Sequence, residues 1–229
     1  MRKRQKSTGP TPGTHEARFP GFDVLAQRDT WDEVTEHVVV ARLQTQPLRF
    51  FDEAEALTAG ALLDRLLGQD DEPRVPVLGM IDARLADGVG DGYRYDSMPE
   101  DGEAWRCSIA ALDRDAEREH GVAFHALDRG TQMDAIERVQ QTEGSWADLP
   151  AERVFGLWVR YACAAFYSHP WAWNEIGFGG PAYPRGYANL AVDGRERWEV
   201  PEVDASDPVP WSERADGAKR AHASREPQP

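Results

Sequence analysis

One stretch of this chain predicts a helix that is apolar on nearly every side. It spans residues 150–170 and reads PAERVFGLWVRYACAAFYSHP. Its apolar positions are Val154, Phe155, Leu157, Trp158, Val159, Tyr161, Ala162, Cys163, Ala165 and Phe166. A helix with almost no polar face is central in its bundle or is covered by another chain. The stretch therefore predicts a helical core, and it leaves both of those positions open.

A second helix is predicted by FFDEAEALTAGALLDRLLG. Asp52 can cap its N-terminus, and Glu55 three residues later completes a capping box. Gly68 is expected to end the helix. The apolar stripe consists of Ala59, Leu62, Leu63, Leu66 and Leu67. This spacing places all five side chains on one face, as expected for a helix that packs against a core.

Three further segments have a helical apolar period. In VPVLGMIDARLADG, Pro76 is near the first helical position, where its missing N–H is tolerated. The stripe of that segment is Val77, Ile81 and Leu85. In EAWRCSIAALDRDAEREHG the inward residues are Trp105, Ile109, Leu112 and Ala116, with Gly121 at the end. In TQMDAIERVQQTE the stripe is Met133, Ile136 and Val139. WDEVTEHVVVARL could be a helical turn or a strand, and Val38 to Val40 favour the strand.

We therefore predict an all-α protein, a single irregular bundle of about five or six helices. Residues 1–20 are polar and aperiodic, so we expect them to be disordered. Residues 21–190 form the helical domain, which ends in an ordered loop rich in aromatic residues, Gly and Pro. Residues 191–229 are an acidic, proline-containing tail. Trp198 and Trp211 are unusual in a disordered tail and indicate that it docks on another surface.

The charge and the cysteines limit the function classes. The 229 residues include 40 acidic and 26 basic side chains, a net charge of −14, which would repel a nucleic-acid backbone. The start of the chain has neither the apolar run of a signal peptide nor a twin-arginine motif, and no apolar run is long enough to span a membrane. We expect a cytoplasmic protein. Cys107 and Cys163 form no metal or redox motif and are expected to be small buried side chains. The alternative is a disulfide between their helices, which requires an oxidising compartment.

The most unusual stretch is HPWAWNEIGFGGPAYPRGY, residues 169–187, here named the aromatic segment. It holds five aromatic residues, four glycines and three prolines, so we expect neither a regular helix nor a regular strand. Aromatic side chains dominate the energetics of protein interfaces. The rings could cover the end of the bundle, contact a partner subunit, or stack on carbohydrate across a shelf formed by Trp171 and Trp173. His169 is expected to cap the C-terminus of the preceding helix by a hydrogen bond to the backbone, with acid–base catalysis by an independent enzyme as the alternative.

These segments together resemble the gluconate 2-dehydrogenase subunit 3 family. The resemblance covers residues 48–190 and includes FFDEAEALTAGALLDRLLGQDDEP, the stretch 124–132, the helix ending FYSHP, and WNEIGFGGPAYPRGY. Many members carry Gly-Gly-Asn before the aromatic-glycine part, where this chain reads WAWN with Asn174 as the candidate counterpart. The resemblance implies a small, cofactor-free subunit without catalytic residues of its own.

The resemblance also implies partners. The expected partner is a large flavoprotein of the glucose-methanol-choline type, which carries FAD and oxidises a sugar or sugar acid. A cytochrome c or another electron acceptor can complete such a complex. The predicted partner interface is Phe155, Trp158, Phe166, His169, Trp171, Trp173, Asn174, Gly177, Phe178, Gly179, Gly180, Pro181, Tyr183, Arg185 and Tyr187. The alternative function is a free-standing carbohydrate-binding helical module.

Overall fold

A computed structural model describes residues 19, 22–44, 47–70, 72, 74–189 and 194–200. The disorder predicted for the N-terminal segment and for most of the tail lies outside these residues, as does Trp211. Within the described part there are seven α-helices, which confirms the all-α prediction. They are α1 (Glu33–Ala41), α2 (Glu53–Leu67), α3 (Val77–Ala86), α4 (Asp101–His120), α5 (Arg129–Gln141), α6 (Ala151–Ser168) and α7 (Pro170–Ile176). The remaining elements are the 3-10 helices Val24–Thr30 and Phe124–Ala126, and the strands β1 (Ser145–Trp146) and β2 (Leu149–Pro150).

The ends of α2 are set by its own sequence. The Asp52 carboxylate accepts a hydrogen bond from the Glu55 amide at 2.8 Å, and the Glu55 carboxylate accepts one from the Asp52 amide at 3.0 Å. This is the predicted capping box, and Gly68 ends the helix as expected. The chain enters α2 over the buried carboxylate of Asp82, which accepts hydrogen bonds from three consecutive backbone amides, those of residues 49–51.

Helix α6 is the central element of the bundle. It contacts α2, α3, α4, α5 and α7. The Trp158 ring is fully buried, and its indole N–H donates to the Ser108 hydroxyl of α4 at 3.0 Å. Tyr161 packs edge-on against Trp105 at 5.8 Å. The central position therefore accounts for most of the apolar surface of α6, and each large ring buried here stabilises the fold by about 2 to 3 kcal/mol.

A second, smaller core joins the N-terminal part of the chain to α7. It consists of Val24, Trp31, Val39 and Trp173. The amide side chain of Asn174 accepts a hydrogen bond from the Val24 backbone N–H at 2.8 Å, across 150 residues of sequence. Residues 24–39 are thus fixed on the aromatic segment.

The strand favoured for Val38 to Val40 is wrong, because these valines lie in α1. Asp32 caps this helix by accepting a hydrogen bond from the Thr35 amide at 2.9 Å. Burial of Val39 against the second core outweighs the weak helix preference of three successive valines.

Two burial predictions are also wrong. Met133 is exposed on α5, where the buried positions are Gln132, Ala135, Ile136 and Val139. Cys107 is exposed on α4 and Cys163 is half-buried on α6, and both thiols are free. The inward stripe of α4 is nevertheless as predicted, since Trp105, Ile109, Leu112 and Ala116 are all buried.

Candidate interaction site at the aromatic segment

The aromatic segment begins with a helix, which corrects the prediction that it has no regular structure. Pro170 occupies the first helical position of α7, and His169 caps the helix through Nδ1, which accepts a hydrogen bond from the Trp171 amide at 3.2 Å. Proline at this position loses no hydrogen bond, because the first amides of a helix have no partner within it. α7 has only seven residues and ends at Gly177, after which the chain is irregular.

His169 lies inside the molecule, with 1% of its surface exposed. Burial lowers the pKa of its imidazole from 6.5 to about 4. The Arg42 backbone opposes this shift, whereas the guanidinium charge of Arg42 adds to it. The same guanidinium donates to the Ser168 carbonyl at 2.7 Å, at the C-terminus of α6. The imidazole therefore stays neutral near pH 7 and has a structural role at the junction of α6 and α7.

The glycines after α7 allow close contacts with distant parts of the chain. A Cβ atom on Gly177 would lie 2.6 Å from the Phe19 ring, and one on Gly180 would lie 2.7 Å from the Trp31 ring. A Cβ atom on Gly179 would lie 2.5 Å from the Trp198 ring. No real Cβ atom approaches a ring so closely, so only glycine fits at these three positions.

Residues 194–200 are here named the strap, and residues 177–180 the glycine turn. Trp198 and Val200 of the strap lie against the glycine turn. Trp198 is 9% exposed, and its ring is stacked on the Arg185 guanidinium at 3.7 Å and tilted against Tyr187 at 5.0 Å. Arg185 also donates hydrogen bonds to the Gly179 carbonyl at 2.5 Å and to the Thr30 hydroxyl at 2.8 Å. The one described tryptophan of the predicted tail thus docks on the chain itself.

The structure divides the predicted interface residues into three groups. Buried are Trp158, His169, Trp173, Gly179 and Gly180. Half-buried are Phe155, Phe166, Trp171, Asn174, Gly177, Pro181 and Arg185. Exposed are Phe178, Tyr183 and Tyr187. The buried group shapes the surface from inside and does not reach a partner in this conformation, because its atoms are covered by the chain's own side chains.

Two exposed apolar side chains at this end of the molecule were missed by the sequence prediction. Tyr167 and Ile176 are each about half exposed. The helical period contains the signal for Tyr167, because it follows exposed Ala164 by three residues and half-buried Arg160 by seven on the outer face of α6. Together with the three exposed residues of the predicted interface they form a set, here named the outer group. The outer group is Tyr167, Ile176, Phe178, Tyr183 and Tyr187.

The carbohydrate shelf of Trp171 and Trp173 is absent. The Trp173 ring is buried in the second core, and its indole N–H donates to the Tyr167 carbonyl at 2.6 Å. Trp171 is half-buried and packs edge-on against His169 at 5.0 Å. Because neither face of Trp173 is open to solvent, a sugar ring cannot stack across the pair. Catalysis by His169 lacks a basis as well, since its ring does not reach solvent.

Comparison with known proteins gives one family. Searches among curated proteins and among solved structures found no significant match. Of the described helices, none is both long enough and apolar enough to cross a membrane. The model of the family described as gluconate 2-dehydrogenase subunit 3 matches residues 53–180, from the first turn of α2 to the glycine turn. This match confirms the resemblance seen in the sequence, and the chain belongs to the gluconate 2-dehydrogenase subunit 3 family.

Proposed function

We propose that this chain is a non-catalytic small subunit that stabilises a large FAD-dependent dehydrogenase of the glucose-methanol-choline type and assists its maturation. The substrate of that complex would be a sugar or a sugar acid, and electrons would leave through a cytochrome c or another acceptor. FAD belongs to the large subunit in this proposal, and the outer group is the contact surface.

The observation that carries the proposal is the outer group in a chain whose family is named for a subunit. Four of its five members are aromatic, and Tyr183 is 67% exposed. Tyrosine and phenylalanine remove large areas from water while only two side-chain torsions become fixed, so they suit an interface. Behind them, the second core and the Arg185 contacts fix the backbone. A surface held rigid before binding loses less entropy on association.

The physical mechanism is thermodynamic linkage. A subunit that binds only the folded flavoprotein adds RT ln(1 + [L]/Kd) to its free energy of unfolding. This amounts to about 4 kcal/mol when the free subunit is at a thousandfold excess over Kd. Since whole domains are stable by only about 5 to 15 kcal/mol, such a contribution changes the yield of folded, flavin-loaded enzyme.

The test is co-expression with a glucose-methanol-choline type flavoprotein from the same source. We expect the flavoprotein to be soluble and yellow when this chain is present, and to be insoluble or poor in FAD when it is absent. Flavin content per polypeptide, measured from the absorbance of the purified protein, is the readout. Equal flavin content with and without this chain would contradict the proposal.

A surface variant tests the contact face. We expect the double substitution Ile176→Ser with Tyr183→Ser to weaken the complex about thirtyfold or more, because truncating even one hot-spot residue costs about 2 kcal/mol. The matched control is Val34→Ser with Leu57→Ser, two exposed apolar residues of α1 and α2 that lie outside the aromatic segment. Equal affinities of the two double variants, measured by biolayer interferometry, would exclude the outer group as the contact.

A further inference from the structure

The strap covers part of the surface that the proposed function assigns to a partner. Trp198 lies on Gly179, is stacked on Arg185, and is tilted against Tyr187, a member of the outer group. A Cβ atom on Gly177 would lie 2.7 Å from a methyl group of Val200, so the strap extends along the glycine turn to the end of α7. The strap therefore covers part of the surface of the aromatic segment.

The strap's hydrogen bonds to the described residues are local. They run to the neighbouring residues 188 and 189. The Glu196 carboxylate accepts from the Asn189 amide at 2.6 Å, and the Asn189 side chain donates to the Arg195 carbonyl at 3.2 Å. The strap also contacts the surface beneath it through the Trp198 ring, on Gly179 and Arg185, and through a Val200 methyl group beside Gly177. Local fastening of this kind allows a segment to open without unfolding the bundle.

The family match separates the strap from the glycine turn beneath it. The match ends at residue 180, so it includes the glycine turn and excludes the strap, Arg185 and Tyr187. The turn is thus a feature of the family domain, whereas the indole that covers it here belongs to a segment outside the matched region. Where the strap lies on the glycine turn, another chain cannot contact it.

We propose that the strap is a releasable cover and that docking of the flavoprotein displaces Trp198 from the glycine turn. This inference rests on the proposed function. The partner group that replaces it is an apolar or aromatic side chain, since the vacated site has a glycine backbone as its floor and the Arg185 guanidinium and the Tyr187 ring as its walls. The apparent Kd of the closed chain equals the intrinsic Kd divided by the open fraction, so opening the strap in advance tightens binding.

Two variants open the strap by different means. Trp198→Ala removes the ring, and Gly179→Ala places a methyl group 2.5 Å from the ring and 2.9 Å from the Trp198 carbonyl. Gly179 does not have a positive φ, so alanine adds no backbone strain there. The matched control is Gly156→Ala on α6, where the added methyl group meets nothing within 4 Å.

The experiment measures the affinity of each full-length variant for the flavoprotein by biolayer interferometry. We expect both opening variants to bind about tenfold tighter than wild type, and Gly156→Ala to bind as wild type does. In the 19F spectrum of the chain labelled with 5-fluorotryptophan, the Trp198 resonance, assigned by its loss in Trp198→Phe, should shift when the flavoprotein is added.

The other outcomes overturn the proposal. Weaker binding by Trp198→Ala would make the strap a part of the interface, and unchanged binding by both opening variants would place the partner elsewhere. In either case wild-type binding would still support the proposed function. Failure of the wild-type chain to bind the flavoprotein would overturn the proposed function, and this proposal with it.

Discussion

The buried imidazole of His169 predicts a specific loss of stability in acid. Its pKa is lowered to about 4 in the folded chain, mainly by burial, against an ordinary value of 6.5. Between these two values the unfolded chain binds a proton that the folded chain does not, so the free energy of unfolding falls as the pH falls. The contribution is fully present above pH 6.5 and is lost by about pH 4.

The magnitude follows from the difference between the two pKa values. At about 1.4 kcal/mol per pH unit, the full difference amounts to about 3 kcal/mol, of which about 2.5 kcal/mol is lost on going from pH 7.5 to 4.5. His169→Asn removes the titrating group while keeping a side-chain oxygen that can cap α7. We therefore expect wild type to lose about 2.5 kcal/mol more than His169→Asn over this interval.

The assay is urea denaturation of both proteins at pH 7.5 and at pH 4.5, monitored by circular dichroism. Carboxylates also titrate in this interval, but they are common to both proteins and cancel in the difference. His37→Asn, at an exposed position of α1, is the control and should retain the wild-type pH dependence. If wild type and His169→Asn lost the same stability to within about 0.5 kcal/mol, the argument that burial controls this imidazole would be refuted.

Three substitutions test other parts of the fold by their free energies of unfolding. Asp82→Ala should cost about 3 kcal/mol, because amides at the entrance of α2 lose their acceptor, and a cost below about 1 kcal/mol would contradict this. Gly180→Ala should cost about 2 kcal/mol or more, since Gly180 has a φ of 82° and its new methyl group would meet the Trp31 ring, and a neutral result would show that the turn can adapt. Gly156→Ala should instead stabilise by about 0.5 to 1 kcal/mol, because alanine favours a helix over glycine and the added methyl group would meet no other atom within 4 Å. Destabilisation would contradict that placement.

The elements that the sequence predicts well are those whose signals are local. The Asp52 and Glu55 capping box is formed by the same residues that predict it. The buried face of α4 is predicted by the spacing of apolar residues within that helix alone. The sequence favours a strand for α1 because three successive valines prefer β structure, whereas the Asp32 side chain caps the first turn of a helix there. The burial of Val39 against Trp173 is a long-range contact that no local pattern contains.

The aromatic segment shows the same limit at the candidate site. Its composition indicates an interface, but the same residue types cover the chain's own core, and sequence alone does not separate the two roles. Trp173 is buried by Val24, Trp31 and Val39, which lie more than 130 residues earlier in the chain. The cover of Gly179 by Trp198 likewise depends on how the chain returns after residue 189. The outer group can therefore be identified only once the positions of residues 24–39 and of the strap are known.

In the proposed function a second polypeptide covers the outer group. Hydroxyl-radical footprinting of this chain, free and in complex with the flavoprotein, tests it directly by mass spectrometry of the modified tyrosines. Tyr183 and Tyr187 should become several-fold less reactive in the complex, while Tyr93, which is 57% exposed in the loop between α3 and α4, should react as before. Unchanged reactivity of Tyr183 and Tyr187 in a complex that forms would contradict the claim.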